Sequence, residues 1–176
     1  MAPVAIALGL LIAICVFLDS PGPIFYRSLR VGYGGEPFGM LKFRKMRNEA
    51  RGPMVTAFND VRLTPIGRFL QATRLDELPQ FWHVLRGQMS IVGPRPERPE
   101  FLDLLRETVP FWTQRHLVKP GLTGWAQLRH GYTADADGTA EKLSYDLWYL
   151  RHRSLLVDVA VCAETFVAMA TGQGAR

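Results

Sequence analysis

Two adjacent carboxylates, Asp76 and Glu77, open the segment Asp76-Glu77-Leu78-Pro79-Gln80-Phe81-Trp82-His83-Val84-Leu85. Inside a regular helix, neighbouring side chains point about 100° apart and could not share a ligand. At a helix start the cap residue is non-helical, so both carboxylates can reach one site. The free N–H groups and partial positive charge of a first turn also favour an ionised Asp and a bound phosphate. The pair fits a plainer role equally, with Asp76 capping the helix and Glu77 complementing its dipole. Leu78, Phe81, Trp82 and Leu85 fall at i, i+3, i+4 and i+7, which predicts one buried stripe closed at Gly87. Pro79 is compatible with that helix because it lies in the first turn.

Cations crowd this block. Lys42, Arg44, Arg68, Arg74, Arg86, Arg95 and Arg98 lie in or beside it. Ser90-Ile91-Val92-Gly93-Pro94-Arg95-Pro96-Glu97-Arg98-Pro99 carries too many prolines for a regular helix or a central strand. Such a stiff segment can hold an Arg fork in one direction, as bidentate phosphate recognition requires. Lys119-Pro120-Gly121-Leu122-Thr123-Gly124-Trp125 is a second Pro/Gly-punctuated loop, either a plain turn or a place where backbone approaches a ligand closely.

The elements that must position these groups are legible in outline. Met1–Leu18 is uncharged and stops at Asp19-Ser20-Pro21-Gly22-Pro23. A full span needs roughly 20 apolar residues, so the run is marginal in length. Being apolar all round, it reads as a membrane-inserted helix rather than a buried core helix. It lacks the basic n-region and small-residue cleavage site of a secretory signal. Gly34-Gly35 between two β-prone runs predicts a hairpin, whose second arm alternates Leu41/Phe43 with Lys42/Arg44. A polar loop covers about residues 48–63, and Thr64-Pro65 then starts a helix with Thr64 as N-cap and Pro65 at N1. Two helices close the chain. Ala140–Arg153 carries Leu143, Leu147 and Leu150, with Asp146 in an aromatic neighbourhood. Leu155–Ala170 carries Leu155, Val159, Cys162, Phe166 and Met169 along one face. The aromatic and Arg mixture of Trp148-Tyr149-Leu150-Arg151 suits a membrane interface, where amphipathic rings and cations sit together, and ordinary core packing fits these stripes as well.

Composition bounds the rest. In 176 residues, 21 Lys+Arg against 16 Asp+Glu give a net charge of +5, and 48% of residues are hydrophobic. That apolar content excludes a disordered tail, and no block recurs at a solenoid period. The thiols Cys15 and Cys162 sit in apolar runs, and His83, His116, His130 and His152 are scattered, so no Cys/His metal spacing exists. No nucleic-acid recognition motif accompanies the positive charge.

The blocks DSPGPIFYRSLRVG (Asp19–Gly32), LKFRKM (Leu41–Met46), LDELPQFWHVLRGQMSIVGPRPERPEF (Leu75–Phe101), KPGLTGWAQ (Lys119–Gln127) and KLSYDLWYL (Lys142–Leu150) together resemble the bacterial sugar transferases, the monotopic phosphoglycosyl transferases. The resemblance implies transfer of a sugar 1-phosphate from a UDP-sugar to undecaprenyl (polyprenyl) phosphate, with release of UMP. This is the first membrane step of exopolysaccharide, O-antigen or capsule-type synthesis. It implies Asp76 as a covalent nucleophile, hence ping-pong kinetics, and Glu77 as a metal ligand or positioner of the attacking phosphate. Mg²⁺ is the implied cofactor. Lys42 and Arg95 match family phosphate-site cations and Asp146 a further site carboxylate; Arg44, Arg68 and Arg98 are lesser phosphate candidates.

The expected fold is α+β and mostly helical. Residues 1–18 would form a membrane-inserted helix, a short form of the family's re-entrant helix. Residues 19–176 would form a small β-hairpin and a compact catalytic domain with interfacial amphipathic helices, on the cytoplasmic face of the bacterial inner membrane. Gln71 stands where the family often has a basic residue, so one phosphate contact would be either missing or supplied by Arg68 or Arg74. The competing reading is an inactive membrane-associated adaptor of a polysaccharide assembly system.

Overall fold

In the computed structural model, residues 2–48, 60–130 and 136–171 are described. The apolar run winds into helix α1 (Ala2–Asp19) and breaks at the Pro/Gly turn that follows. Strands β1 (Phe25–Val31) and β2 (Pro37–Phe43) pair as the expected hairpin. Their connection bends at Gly34 (φ 67°) and Gly35 (φ 86°), left-handed conformations that glycine adopts without a Cβ clash. The polar loop expected over residues 48–63 lies mostly outside the described residues.

Helix α2 (Pro65–Thr73) begins as its sequence dictates, with Thr64 Oγ1 accepting from the Gly67 N–H and Pro65 in the first turn. A 3-10 segment (Leu75–Gln80) is followed by the short helix α3 (Phe81–Leu85). After β3 (Ser90–Val92) come α4 (Leu102–Thr108), a 3-10 segment (Trp112–Leu117), β4 (Gly121–Thr123), α5 (Trp125–Arg129), α6 (Ala136–His152) and α7 (Leu155–Ala170). The fold is therefore α+β and mostly helical. Among the described residues no helix is long and apolar enough to cross a membrane.

The chain forms two compact units, one drawn from Met1–Arg27 and Leu41–Gln80, the other from Ser28–Met40 and Phe81–Gly174. In the first, Ile12 and Val16 of α1 pack with Phe43 and Leu70, joined by Ile24, Ile66, Leu75 and Leu78. Among the described side chains of α1, Ile12 and Val16 are buried and Ala13 partly so, whereas Ile6, Leu10, Leu11, Ile14, Phe17 and Leu18 are exposed. In the second, β3 and β4 pair in parallel, Ser90 opposite Gly121 and Val92 opposite Thr123. The glycines of the Lys119–Trp125 loop make this possible: a Cβ on Gly121 would meet the Gly93 nitrogen at 2.2 Å. The close approach that these glycines allow is therefore backbone to backbone. Val92, Tyr149 and Val161 form a core under this pair, and Val109, Trp112 and Leu143 form another.

Two sequence expectations change. The predicted helix from Asp76 is a 3-10 segment followed by five α-helical residues, and most of its stripe is not buried: Leu78 packs on the core, but Phe81, Trp82 and Leu85 are exposed while Asp76, Gln80 and His83 are buried. A 3-10 turn holds three residues rather than 3.6, so a face counted at α spacing drifts out of phase. On α7, Leu155, Val159, Phe166 and Met169 face outward, whereas Val157, Val161 and Cys162 join the core. The apolar set is wide enough to fill both faces, and the polar residues do not mark which one is inside.

Candidate functional site

The first unit builds a carboxylate site at the turn after α2. Helix α2 ends at Arg74, a non-glycine residue in the left-handed region (φ 57°) that reverses the chain. The Glu77 N–H then donates to the Arg74 carbonyl at 3.1 Å, starting the 3-10 segment with Asp76 buried inside its first turn, 4% exposed. Lys42, beside the core residue Phe43 near the end of β2, reaches Glu77: Nζ to Oε1 is 2.6 Å, with both side chains largely covered. The ammonium holds the Glu77 carboxylate next in sequence to Asp76. One turn on, the buried Gln80 Nε2 finds no partner among the described residues, and neither does Gln71 Oε1. Unmet buried amides are what a bound ligand or water satisfies.

Arg44 is placed differently from Lys42. It is buried, its backbone N–H donates to the Ile24 carbonyl (2.9 Å), and its guanidinium donates to the Ser20 and Pro21 carbonyls just past α1. The alternating cations Lys42 and Arg44 thus become one side chain on a carboxylate and one on backbone. Asp19 has a structural task as well: its Oδ2 accepts from the Ile66 N–H at 3.0 Å, a second cap on α2 beside Thr64. Arg68 lies exposed on α2.

The second unit holds Arg95, Arg98 and Asp146, and the residue that organises them is one the sequence reading missed. Arg115, fully buried, donates from Nε and Nη2 to Asp146 Oδ2 at 3.0 and 2.7 Å, and from Nη2 to the Arg95 carbonyl at 2.9 Å. Its Nη1 lies 3.5 Å from Glu97, which also takes Lys142 Nζ at 2.5 Å. The guanidinium stacks over Trp112, 4.4 Å from the ring centroid. Asp146 therefore holds, through Arg115, the Pro94–Glu97 segment. Arg95 itself donates to Gln127 Oε1 at 3.3 Å, and Arg98 precedes the 3-10 turn Pro99–Phe101.

Electrostatics follow from this burial. Burial pushes the Asp146 carboxyl above its ordinary value, opposed by the charges of Arg115 and Lys142. At Glu97 burial also acts upward, but Lys142, Arg115 and Arg95 outweigh it and hold the carboxyl at about 2. His116, buried beside Arg115, is pushed down to about 4, first by burial and then by the neighbouring cations. Arg115 escaped the sequence reading because Phe111-Trp112-Thr113-Gln114-Arg115-His116 has no apolar period to announce a buried face; the Trp112–Arg115 spacing of three was the only hint.

Among the described residues no three Asp, Glu, His or Cys groups gather as a metal cage. Mg²⁺ needs less than that, since one or two carboxylates complete its sphere with water and substrate phosphates. Asp76 and Glu77 fit that arrangement, with Lys42 already competing for Glu77.

The family model for bacterial sugar transferases matches residues 1–172. The chain belongs to the bacterial sugar transferase family. It is 43% identical over 176 residues to the UDP-N-acetylgalactosamine-undecaprenyl-phosphate N-acetylgalactosaminephosphotransferase of Aeromonas hydrophila, covering 99% of this chain and 42% of that protein. It is 42% identical over 154 residues to the UDP-glucose:undecaprenyl-phosphate glucose-1-phosphate transferase of Escherichia coli, covering 85% of this chain and 33% of that protein. An exopolysaccharide production protein of Rhizobium leguminosarum is 38% identical over 175 residues, with 94% of this chain and 87% of that one aligned. The sugar transferase chain thus spans about two-fifths and one-third of the first two relatives and most of the third.

Proposed function

We propose that this chain is a phosphoglycosyl transferase that moves a sugar 1-phosphate from a UDP-sugar to undecaprenyl phosphate and releases UMP. The observation that carries the reading is a buried Asp76 at a left-handed turn, with Lys42 fixed on the adjacent Glu77. Family membership and the printed activities of its relatives support the same reaction class.

In this reading the Asp76 carboxylate attacks the phosphorus that bears the sugar, and the bond from that phosphorus to the UMP oxygen breaks. The enzyme then carries an acyl phosphosugar. An oxygen of the lipid phosphate attacks the same phosphorus, and the Asp76 oxygen leaves as carboxylate. Lys42 keeps Glu77 oriented and offsets negative charge as the phosphates arrive. Arg95 and Arg98, with Arg68 as a further cation, contact substrate phosphates, and Asp146 acts by holding the Arg95 segment through Arg115. When bound to Asp76 or Glu77, Mg²⁺ would neutralise part of the diphosphate charge.

The place of action is the bilayer surface, the cytoplasmic face of the inner membrane, in the first step of an exopolysaccharide, O-antigen or capsule-type pathway. The exposed apolar residues of α1 and α7 support insertion of the one and interfacial lodging of the other.

The test is UMP release by the purified chain in nanodiscs, with undecaprenyl phosphate and a panel of UDP-sugars, alongside mass spectrometry of the Asp76 peptide. Lipid-dependent release and a trapped phosphosugar adduct, both lost in Asp76→Asn, are expected. A folded, membrane-bound chain with neither would instead be the adaptor.

A further inference from the structure

The second unit contains a cleft of about 560 Å³ that no residue assigned to the chemistry above lines. That volume lies within the range of small-molecule sites. Its charged groups are Lys119, Arg153 and Asp158. Asp158 is already engaged, accepting the Tyr149 hydroxyl at 2.8 Å. Lys119 and Arg153 are exposed, and among the described residues neither has an ion-pair partner. The cleft therefore presents two cations against one carboxylate, an excess of positive charge, with Ser90 on the same wall.

The rim is of the opposite character. Leu117 and Leu155 line the cleft and are 63% and 79% exposed. From Leu155 an uncharged face continues along α7 through Leu156, Val159, Phe166 and Val167, all exposed. The other face of α7 is accounted for by its core contacts and by Glu164, which pairs with Arg129 at 2.9 Å. Cations at the head of a long apolar face match an amphiphile whose phosphate sits in the cleft while its chains run beside the helix. A free nucleotide or phosphate would match the cations but leave the leucine rim and the α7 face unexplained.

We infer that this cleft binds the phosphate headgroup of an anionic bilayer phospholipid, with Lys119 and Arg153 as its ligands and Leu117 and Leu155 against the acyl region. The inference rests on the membrane-surface reading above but needs no turnover, so its failure would leave the transferase proposal intact.

Native mass spectrometry of the full chain released from detergent micelles tests it, using phosphatidylglycerol, phosphatidylcholine, inorganic phosphate and UMP as separate probes. One retained phosphatidylglycerol per chain is expected, with phosphatidylcholine retained far less. Removing one cation near a charged surface weakens binding about fivefold, so Lys119→Gln/Arg153→Gln should lower retention about 30-fold. The exposed control Arg106→Gln, outside the cleft, should change it little. Equal losses in the double variant and the control would mean diffuse surface attraction and overturn the site. Binding of UMP or inorganic phosphate that depends on Lys119 and Arg153 and displaces the lipid would overturn the lipid assignment.

Discussion

Replacing Arg115 by Met removes a charge that sits at the centre of the second unit. Its guanidinium makes two hydrogen bonds to Asp146, at 2.7 and 3.0 Å, and one to the Arg95 carbonyl at 2.9 Å, with both side chains sealed from solvent. Hydrogen bonds to charged groups contribute about 1.5–3 kcal/mol each. The larger cost is the Asp146 carboxylate left buried without its hydrogen-bonded partner, since breaking a buried pair from one side costs about 3–5 kcal/mol. Whole domains are stable by only about 5–15 kcal/mol, so the variant should lose a large share of its stability. The loss also has a pH signature. Burial already raises the Asp146 carboxyl, and without Arg115 it rises further, so the folded variant binds a proton that the unfolded chain releases. Its deficit against the parent should therefore shrink as pH falls.

The assay is urea unfolding in detergent, followed by tryptophan fluorescence, for Arg115→Met, Asp146→Leu and the double variant. Replacing both partners by apolar groups removes the stranded charge, so the double variant should recover much of the loss, with a coupling of at least about 2 kcal/mol. A single-variant cost under about 1 kcal/mol, or additive costs in the double, would refute the claim that this pair braces the Pro94–Glu97 segment.

Other outcomes follow from the same contacts. His116 has its pKa lowered to about 4, so the unfolded chain takes up its proton first. Stability should fall as pH drops from about 6.5 to 4, by at most about 1.4 kcal/mol per pH unit, and His116→Gln should flatten that slope in a pH series of urea midpoints. Glu97 is held at about 2, so its contribution is intact above its unfolded value near 4.5 and lost from there down to 2; Glu97→Gln should remove that acid limb. Gly121→Ala would drive a Cβ to 2.2 Å from the Gly93 nitrogen and to 2.4 Å from the Thr123 carbonyl oxygen. It should cost several kcal/mol, seen as a collapse of the unfolding midpoint. Lys42→Met removes the 2.6 Å partner of the largely covered Glu77 and should depress UMP release at least tenfold in protein kept folded, a loss larger than its drop in urea midpoint explains.

Local chemistry carried much of the first unit into the sequence. Thr64-Pro65 reads as a helix start and is one, because cap and first-turn preferences act over three or four residues. Gly34-Gly35 reads as a reversal and is one, because few other residues adopt both of its positive φ values. Asp76 and Glu77 drew notice as a pair at a helix start. Their true frame, a left-handed Arg74 leading into a 3-10 segment, has no composition of its own. What stayed hidden depends on contacts far apart in the chain. Arg115 meets Asp146 31 residues later and the Arg95 carbonyl 20 residues earlier. No window of ten residues contains either fact.

The same distinction bears on Asp146, which the family resemblance implies as a site carboxylate and which the structure pairs with Arg115. A carboxylate among Tyr145, Trp148 and Tyr149 invites a ligand-binding reading, since a buried charge demands a partner. The structure meets that demand from within, through Arg115. Asp76 differs in its surroundings: Glu77 beside it is already claimed by Lys42, and the buried amide of Gln80 one turn later still lacks a partner among the described residues. Asp146→Asn, which breaks the buried Arg115 pair, should therefore act chiefly on stability, and Asp76→Asn, close in sequence to the unmet Gln80 amide, on turnover. Equal losses of turnover at unchanged urea midpoints would erase that division of roles.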